Sequence, residues 1–409
     1  MTTTDVQALE SQHVLQTYKR QPVVFVRGDG TRLFDETGRE YLDFISGIGV
    51  AVLGHGDRGL ARAVGEQAAT LIQTSNLYFH PLQGRLAAKL AALSGLERTF
   101  FCNSGAEAVE ACLKFARRYW FTQGHRHRTG YVAFEHGFSG RTMGALSVTA
   151  NPAYREPFEP LIPGVTFVSP DDPAAVEAAI SDRTAAVIVE PIQGEGGVRP
   201  LPAATAEAIE RATTRTGTLL IADEVQCGLG RTGEAFHFPA LGLTPDLIPV
   251  GKALGAGVPI GAALVSSAVA AQVMAGDHGS TYGGNVLSTR ASLYVLEQLT
   301  GTADAVPYRA EDGGVIGHVR QMTPVFEAAL ASLVAKRPSI VRGVRGVGLM
   351  RGLELHVDAA PVIDRAREAG LLVNRTGGNV VRMLPPLTVS AEEIAAAVSM
   401  LDEALAEAK

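Results

Sequence analysis

The sequence has few cysteines, no long apolar run and no signal peptide, and each absence excludes a class of protein. Its three cysteines, Cys102, Cys112 and Cys227, are an odd number without metal-ligand spacing, so we expect neither a disulfide framework nor a metal site. No run of about 18 apolar residues occurs, and the amino terminus MTTTDVQALESQ lacks a basic and an apolar region. We therefore expect a soluble, cytoplasmic protein.

A large basic region is also missing. The 42 acidic residues outnumber the 36 basic ones, which gives a formal net charge of −6. This balance argues against nucleic acid or an anionic membrane as the main partner. The 409 residues, 46% of them hydrophobic, are enough for more than one core, so we expect two domains.

Two short apolar runs predict neighbouring strands that are buried on both faces, TLLIAD and DLIPVGK. Asp223 closes the first run and Lys252 closes the second. Because ligands of open α/β sheets bind beyond the carboxyl ends of the strands, the two side chains are expected to face one crevice. A lysine that forms a Schiff base and a carboxylate that pairs with a pyridine nitrogen are what pyridoxal phosphate requires. A buried structural ion pair is the alternative reading.

Three further stretches carry candidate site residues. RTFFCNSGAEA predicts a strand, Asn103-Ser104-Gly105 and a helix start, which suits a phosphate, although an ordinary serine N-cap has the same pattern. A loop after YVAFEHG carries Phe138 and Arg141, which suit a planar ring and a carboxylate, or else packing and solvent. The glycine-rich loop after TAAVIVEPIQ presents Glu195.

The words DEVQCGLGRTG (223–233) and GKALGAGVPIGA (251–262) strongly resemble the class III, subgroup II aminotransferases, those of acetylornithine, ornithine and 4-aminobutyrate. SGAEA, GFSGRTMG, GDHGSTYGGN and VVRMLPPL resemble the same family in the same order, so the resemblance covers nearly the whole chain. It implies a pyridoxal-phosphate enzyme of fold-type I, α/β in class. The expected domains are 57–300, with a mostly parallel sheet, and a split small α/β domain formed by 1–56 and 301–409.

The resemblance also implies roles for individual residues. Lys252 and Asp223 are the expected catalytic residues, with Lys252 as the Schiff-base lysine. Phe138 is expected to stack on one face of the pyridine ring, Val225 to lie on the other, and Gln226 to lie near the phenolic oxygen. The full set of expected cofactor-binding residues is Ser104, Gly105, Ala106, Phe138, Asp223, Glu224, Val225, Gln226, Lys252 and Thr281.

Four residues are expected to bind substrate. In the resembled family the arginine corresponding to Arg141 binds the substrate carboxylate, and the glutamate corresponding to Glu195 pairs with the arginine corresponding to Arg382 in one half-reaction and releases it in the other. Ser280 is the expected neighbouring substrate contact. Thr281 is expected to complete the phosphate site of a partner subunit, which implies a homodimer with shared active sites.

The expected reaction moves the terminal amino group of an N-blocked basic amino acid to 2-oxoglutarate, in arginine or lysine biosynthesis. Ser139 stands where the family commonly has histidine, and GFSGRTMG with YREPFEPLIPGV is similar to the branch that acts on lysine held by a small acidic carrier protein. The donor is therefore either N2-acetylornithine or carrier-bound lysine. The alternatives are 4-aminobutyrate or ornithine as donor and, in another class, a catalytically silent protein with this fold.

Several elements outside the motifs can also be predicted. Residues 22–55 alternate strand-like runs with turns, which predicts a β-meander. A long helix is expected over 286–300, a glycine-rich hinge over 301–318, and another helix near 322–335. Ser390 followed by Glu393 predicts a capping box. The glycines of GVGLMRG (346–352) hint at a dinucleotide fingerprint, but LELH reads as a strand where that motif needs a helix.

Overall fold

The structure is a computed structural model that describes residues 3–302 and 310–406. The strands are β1 (Phe25–Asp29), β2 (Arg32–Asp35), β3 (Glu40–Asp43), β4 (Arg98–Cys102), β5 (Gly130–Phe134), β6 (Val165–Val168), β7 (Thr184–Val189), β8 (Ile192–Gln193), β9 (Arg199–Pro200), β10 (Leu219–Ala222), β11 (Leu247–Val250), β12 (Gly261–Val265), β13 (Val341–Val347), β14 (Met350–Leu355), β15 (Leu371–Leu372), β16 (Asn374–Thr376) and β17 (Val380–Met383).

The helices alternate with these strands, as expected for an α/β protein. They are α1 (Thr3–His13), α2 (Ser46–Gly49), α3 (Arg58–Thr70), α4 (Gln83–Ser94), α5 (Gly105–Thr122), α6 (Met143–Ser147), α7 (Pro152–Arg155), α8 (Pro173–Ala179), α9 (Ala203–Thr216), α10 (Ser267–Ala270), α11 (Val286–Thr300), α12 (Gly314–Lys336), α13 (Ala360–Ala369) and α14 (Ala391–Ala406). Short 3-10 helices cover Glu156–Phe158, Phe238–Leu241, Lys252–Gly255 and Ala310–Asp312.

The largest sheet has seven strands in the order β4-β12-β11-β10-β7-β5-β6. Strands β11, β10, β7, β5 and β6 are parallel, whereas β12 runs antiparallel to both β11 and β4. The carboxyl ends of β4, β5, β7, β10 and β11 therefore meet at one edge of the sheet. In open α/β sheets this edge is where ligands bind.

The central strands β7, β10 and β11 are buried along their whole length. Alternate residues of β10 face opposite cores, with Leu220 in one hydrophobic cluster and Leu219 and Ile221 in the other. Each fully buried side chain of this kind contributes about 1.5–3 kcal/mol relative to an exposed one. Apolar residues throughout a strand, rather than alternating ones, are the reason that the sequence predicted a doubly covered sheet.

The two ends of the chain are joined in a smaller α/β region. The sheet β1-β2-β3-β15 combines the amino-terminal meander with a strand from the carboxyl-terminal part, and Leu42 of β3 pairs with Leu371 of β15. Arg32 Nη1 also lies 2.7 Å from Glu393 Oε1 on α14. A second sheet, β13-β14-β17-β16, comes from the carboxyl-terminal part alone. The residues at which each domain begins and ends remain predictions.

Several predicted elements are confirmed. The meander forms antiparallel strands β1–β3, and α11 spans the predicted range. The capping box is present, because the Glu393 N–H donates to Ser390 Oγ (3.2 Å) and the Ser390 N–H donates to Glu393 Oε2 (3.0 Å). The segment after the GVG word is strand β14, which excludes the dinucleotide fingerprint.

Two predictions need correction. Helix α12 begins at Gly314 rather than near 322. The glycine-rich segment GGVIG, which the sequence analysis assigned to a hinge, forms the start of this helix. The ideal Cβ position of Gly317 lies 1.7 Å from the Asp312 carbonyl oxygen, so a glycine here reflects close packing rather than a hinge. The remaining part of the predicted hinge, 303–309, lies outside the described residues. Lys252 follows β11 in a 3-10 turn and does not lie in the strand.

Within the described part of the chain, no helix combines the length and the apolar character needed to cross a membrane. The same residues include no group of three or more His, Cys, Asp or Glu side chains that could hold a metal ion.

Candidate active site

Asp223 and Lys252 both follow strands whose carboxyl ends reach the same edge of the large sheet. Asp223 is 4% exposed, and its backbone N–H donates to the Val189 carbonyl of β7 (2.8 Å). Burial raises the pKa of Asp223, while a hydrogen bond from the Val225 N–H (3.2 Å) and the charge of Lys252 oppose that rise. The carboxyl group is thus held by backbone groups in a setting where a cationic partner would stabilise its charged form.

Lys252 has the properties of an activated amine. Burial lowers its pKa, although the Glu195 charge opposes that effect, and a lowered pKa leaves more neutral, nucleophilic amine at neutral pH. The backbone at Lys252 has φ of 39°, a left-handed conformation that costs energy in a non-glycine residue. Gly251 before it lies against the start of α5, since its ideal Cβ position is 3.0 Å from Gly105 Cα. The lysine is therefore fixed beside that helix start.

The amino terminus of α5 fits a phosphate group. Ser104 is the N-cap, and its Oγ accepts the Glu107 N–H (3.2 Å), which leaves the first N–H groups of the helix, at Gly105 and Ala106, without intrahelical acceptors. The ideal Cβ position of Gly105 lies 2.6 Å from Val225 Cγ1, so only glycine allows the backbone to lie so close to the residue beyond β10. Free N–H groups at the positive end of a helix dipole bind anions.

The aromatic loop after β5 approaches the same edge. The Phe138 N–H donates to Glu190 Oε1 (2.8 Å), and Phe138 is half-buried. Ser139, in the following position, makes a side-chain hydrogen bond that acts to lower the pKa of Asp223. The residue that stands where the resembled family commonly has histidine therefore lies where it favours the charged form of the Asp223 carboxyl.

Glu195 and Arg382 form the closest ion pair of the site. Arg382, on β17, is fully buried, whereas the Glu195 side chain is 36% exposed, and Arg382 Nη1 lies 2.6 Å from Glu195 Oε1. Arg382 Nη1 also donates to Gln226 Oε1 (3.2 Å), and its Nε donates to Asn374 Oδ1 (3.2 Å). Its Nη2 is buried and has no hydrogen-bond partner among the described residues, so the guanidinium offers a donor for an anion.

Two of the predicted cofactor residues, Glu224 and Gln226, hydrogen-bond other groups of the protein. The Glu224 carboxyl accepts the His237 and Phe238 N–H groups (2.6 and 2.7 Å) and the Cys227 thiol (3.1 Å), so both of its oxygens hold the following turn. Its predicted contact with the cofactor stays a prediction. Gln226 Oε1 accepts a hydrogen bond from Arg382 Nη1 (3.2 Å), and the Gln226 side chain acts to lower the pKa of Glu195. Gln226 is therefore bonded to the Glu195–Arg382 ion pair. Its predicted contact with the phenolic oxygen of the cofactor stays a prediction.

The predicted substrate residue Arg141 lies against two aromatic residues, Tyr154 and Phe138, that line a cavity. It is exposed, and its guanidinium carbon stacks 3.4 Å from the centre of the Tyr154 ring and 5.9 Å from that of Phe138. Phe138, Tyr154 and Glu195 line one cavity of about 800 Å³. The arginine therefore stands next to a space that a substrate can enter.

Ser280 and Thr281 lie near the start of α5. Ser280 Oγ accepts a hydrogen bond from Asn103 Nδ2 (3.1 Å), directly before the N-cap. Thr281 is exposed, and its carbonyl accepts the Gln73 side-chain amide (2.5 Å). Its predicted contact with a partner subunit stays a prediction.

Sequence reasoning missed Glu190, whose carboxyl binds two loops of the site. The sequence contained a signal for Glu190, its position directly after an apolar run. Glu190 follows TAAVIV just as Asp223 follows TLLIA. Tyr154 and Asn374 were also missed. Tyr154 opens the segment YREPFEPLIPGV but was given no role, Asn374 lies in no motif, and only tertiary contacts bring them to Arg141 and Arg382.

The sheet order, the lysine and carboxyl at neighbouring strand ends and the helix-start cradle are those of a fold-type I pyridoxal-phosphate enzyme. The family model "Aminotransferase class-III" matches residues 14–405. The chain is 42% identical to the acetylornithine aminotransferase of Methanocaldococcus jannaschii, over 98% of each chain. The chain therefore belongs to the class III aminotransferases.

Solved structures agree with this assignment. The ornithine aminotransferase of Toxoplasma gondii ME49 superposes with a TM-score of 0.91 at 30% identity, covering 99% of this chain and 95% of that one. The N-acetylornithine aminotransferase of Stenotrophomonas maltophilia K279a gives a TM-score of 0.81 at 32% identity, covering 97% and 98%.

The cofactor is pyridoxal phosphate, as in the family. The residues of this chain fit it, because the start of α5 offers free N–H groups, Asp223 offers a buried carboxyl and Lys252 an amine of lowered pKa. These groups come from the ends of β4, β10 and β11, which the topology brings together.

Proposed function

We propose that this aminotransferase moves the terminal amino group of an N-blocked basic amino acid to 2-oxoglutarate, giving a semialdehyde and glutamate. The donor is N2-acetylornithine or lysine held on a small acidic carrier protein, so the reaction serves arginine or lysine biosynthesis. Relatives named acetylornithine aminotransferase that are 42% identical over nearly the whole chain support this proposal. The words GFSGRTMG and YREPFEPLIPGV are the support for the carrier-bound donor.

The Glu195–Arg382 pair is the observation that carries the substrate proposal. Glutamate and 2-oxoglutarate each bring an α-carboxylate next to the reacting carbon, whereas a terminal amine does not. A buried arginine with a free Nη2 suits the α-carboxylate, and a half-exposed glutamate can swing away from it. With Glu195 in place, the charge of Arg382 is neutralised. The site then suits the aliphatic end of the N-blocked donor.

Arg141 is the second anchor in this proposal. The blocked donor carries its carboxylate at the far end from the reacting amine. Arg141, which stacks on the cavity-lining Tyr154, is proposed to bind that carboxylate. Ser280 is proposed to contact the same substrate. Free α-amino acids other than glutamate lack a carboxylate at that distance, so they are expected to be poor donors.

Lys252 and Asp223 have separate tasks. When bound, the cofactor supplies an electron sink for the carbon that loses its proton. Once its amine is free, Lys252 Nζ is proposed to carry that proton between the substrate carbon and the cofactor carbon. Asp223 keeps a proton on the pyridine nitrogen, because an opposite charge favours the protonated form.

We propose a homodimer on the basis of an exposed apolar surface near Ser280, which we define as Leu77, Tyr78, Phe79 and Tyr282. All four are exposed. Asn76 Nδ2 donates to the carbonyls of Ser280 and Gly283 (3.0 and 2.9 Å), so the surface is continuous with the substrate residues. Apolar patches of this kind mark interaction sites, and we propose that a second copy covers it and receives Thr281 at its phosphate site.

Two alternatives to this function are a different amino donor and a protein that binds the cofactor without catalysis. The first alternative is that the donor is ornithine, in agreement with the similarity to a solved ornithine aminotransferase, or 4-aminobutyrate, as the sequence resemblance also allows. A catalytically silent protein with this fold would bind the cofactor without turnover. A visible absorption band and turnover that are both abolished by Lys252→Ala would exclude this second alternative.

Single-turnover half-reactions with four donors test the proposal. The donors are N2-acetylornithine, carrier-bound lysine, 4-aminobutyrate and glutamate, each mixed with the holoenzyme while the cofactor absorbance is followed. The proposal expects one of the two blocked donors, and glutamate, to react fastest. If 4-aminobutyrate is the fastest donor, the blocked-amine proposal is wrong.

A further inference from the structure

Glu190 directly follows strand β7, and none of the roles above uses it. It follows β7, and the register of β7 and β10 pairs Val189 with Ala222. Glu190 and Asp223 are therefore side by side at two neighbouring strand ends. The position is that of a site residue rather than of a surface glutamate.

Both oxygens of Glu190 accept backbone hydrogen bonds, and the donors come from two different loops. Oε1 accepts the Phe138 N–H (2.8 Å), in the loop after β5. Oε2 accepts the Gly194 N–H (3.2 Å), directly before Glu195. One carboxyl group thus joins the loop that carries the ring-stacking candidate to the loop that carries the partner of Arg382.

The same two loops form walls of the cavity of about 800 Å³. They touch elsewhere, since Gln193 Nε2 donates to the Glu135 carbonyl (2.8 Å) and the ideal Cβ position of Gly196 lies 2.6 Å from the His136 carbonyl oxygen. The Glu190 bonds differ from these contacts because they fix the N–H of Phe138 itself and the N–H next to Glu195.

We propose that Glu190 is a positioning residue that sets Phe138 and Glu195 relative to Asp223 by holding both loops through their backbone N–H groups. The proposal deepens the proposed function and rests on it. Burial and the charge of Asp223 raise the pKa of Glu190, whereas its two N–H donors oppose the rise. Glu190→Gln retains the side-chain volume, but it places an amide NH₂ against one of the two N–H donors.

The test compares Glu190→Gln and Glu190→Ala with a matched control, Asp246→Asn. Asp246 also has a raised pKa through burial and accepts one backbone N–H, from Leu220 (2.9 Å), but it lies at the opposite end of the sheet. The first readout is amide hydrogen exchange of the holoenzyme at Phe138 and Gly194, by fragment-resolved mass spectrometry. The others are the visible circular dichroism of the cofactor and the preference between acetylornithine and glutamate.

We expect Glu190→Ala to speed exchange at both amides by about tenfold and to change both the cofactor signal and the donor preference, since each lost bond contributes on the order of a factor of ten. Phe138→Ala should change the cofactor signal alone, and Glu195→Ala the donor preference alone. Glu190→Gln should speed exchange at one amide. Asp246→Asn should change neither amide.

Unchanged exchange at both amides in Glu190→Gln would overturn the proposal, as would a uniform rise along the whole chain like that of a general loss of stability. The isosteric Gln variant decides the outcome if the Ala variant fails to fold. Failure of the proposed substrate class is a separate result. It would appear as absent turnover of the blocked donors by the unaltered enzyme, with the exchange effect intact.

Discussion

Replacing Glu195 by Gln removes the charge that competes with a substrate carboxylate for Arg382 but retains the side-chain volume. In the structure the ion pair is short, 2.6 Å, and asymmetric, because Arg382 is fully buried and Glu195 is 36% exposed. Breaking a fully buried pair costs about 3–5 kcal/mol, and an exposed pair contributes about 0–1 kcal/mol. With one partner in contact with solvent we expect an intermediate value of about 1.4 kcal/mol, which is a factor of about ten.

The tenfold factor has opposite effects on the two half-reactions. Glutamate and 2-oxoglutarate no longer have to displace Glu195, so their KM should fall by about tenfold. The blocked donor then meets an uncompensated arginine beside its aliphatic end, so its kcat/KM should fall. Stopped-flow half-reactions with glutamate and acetylornithine measure both effects.

The effect should be independent of pH in the neutral range. Burial is the largest single influence and acts to raise the pKa of Glu195, but the charge and hydrogen bond of Arg382 together with the charge of Lys252 outweigh it, and the pKa is lowered overall. A lowered pKa means that the ion pair contributes fully above the unfolded value of about 4.3 and is lost as pH falls through the folded value. The difference between Glu195→Gln and the unaltered enzyme should therefore be constant above about pH 6.

Glu327→Gln is the matched control. Glu327 is exposed and pairs with the buried Arg351, and the pair joins α12 to β14 without lining the cavity. It should lower stability slightly and leave donor preference unchanged. The reasoning is refuted if Glu195→Gln leaves the glutamate KM unchanged, or if the control shifts donor preference equally.

Three further predictions follow from the site. Asp223→Asn should bind the cofactor but lose about a hundredfold or more in turnover, about 3 kcal/mol of transition-state stabilisation, and near-normal turnover would contradict the role of its charge. Arg382→Ala should slow the glutamate half-reaction far more than the acetylornithine one, and equal losses would show that the arginine does not select the α-carboxylate. Phe79→Asp should weaken the homodimer in analytical ultracentrifugation, because it places a charge in the apolar surface, and an unchanged dimer would place the interface elsewhere.

The parts of the fold that local physics determines could be predicted from sequence. The fully apolar runs before Asp223 and Lys252 predicted buried strands, and they form β10 and β11. The Ser390–Glu393 box predicted a helix start that the structure has. In each case the signal lies within a few residues, so no tertiary information is needed.

The parts that depend on tertiary contacts could not be predicted in the same way. The glycines before α12 read as a hinge, although close packing of Gly317 requires one of them. Glu224 lies in a segment that resembles a cofactor-binding motif, and the sequence does not show that its Oε1 accepts the His237 and Phe238 N–H groups. The two bonds of Glu190 join loops that follow different strands, and a sequence read in one dimension does not show them.

The most direct test of the account is to find the lysine that holds the cofactor. Borohydride reduction of the holoenzyme should link pyridoxal phosphate covalently to one lysine, since only a C=N bond to the amine gives a stable secondary amine. A peptide map is expected to place the label on Lys252, beside the start of α5. A label on Lys19, Lys89, Lys114 or Lys336 instead would contradict the assignment of this site.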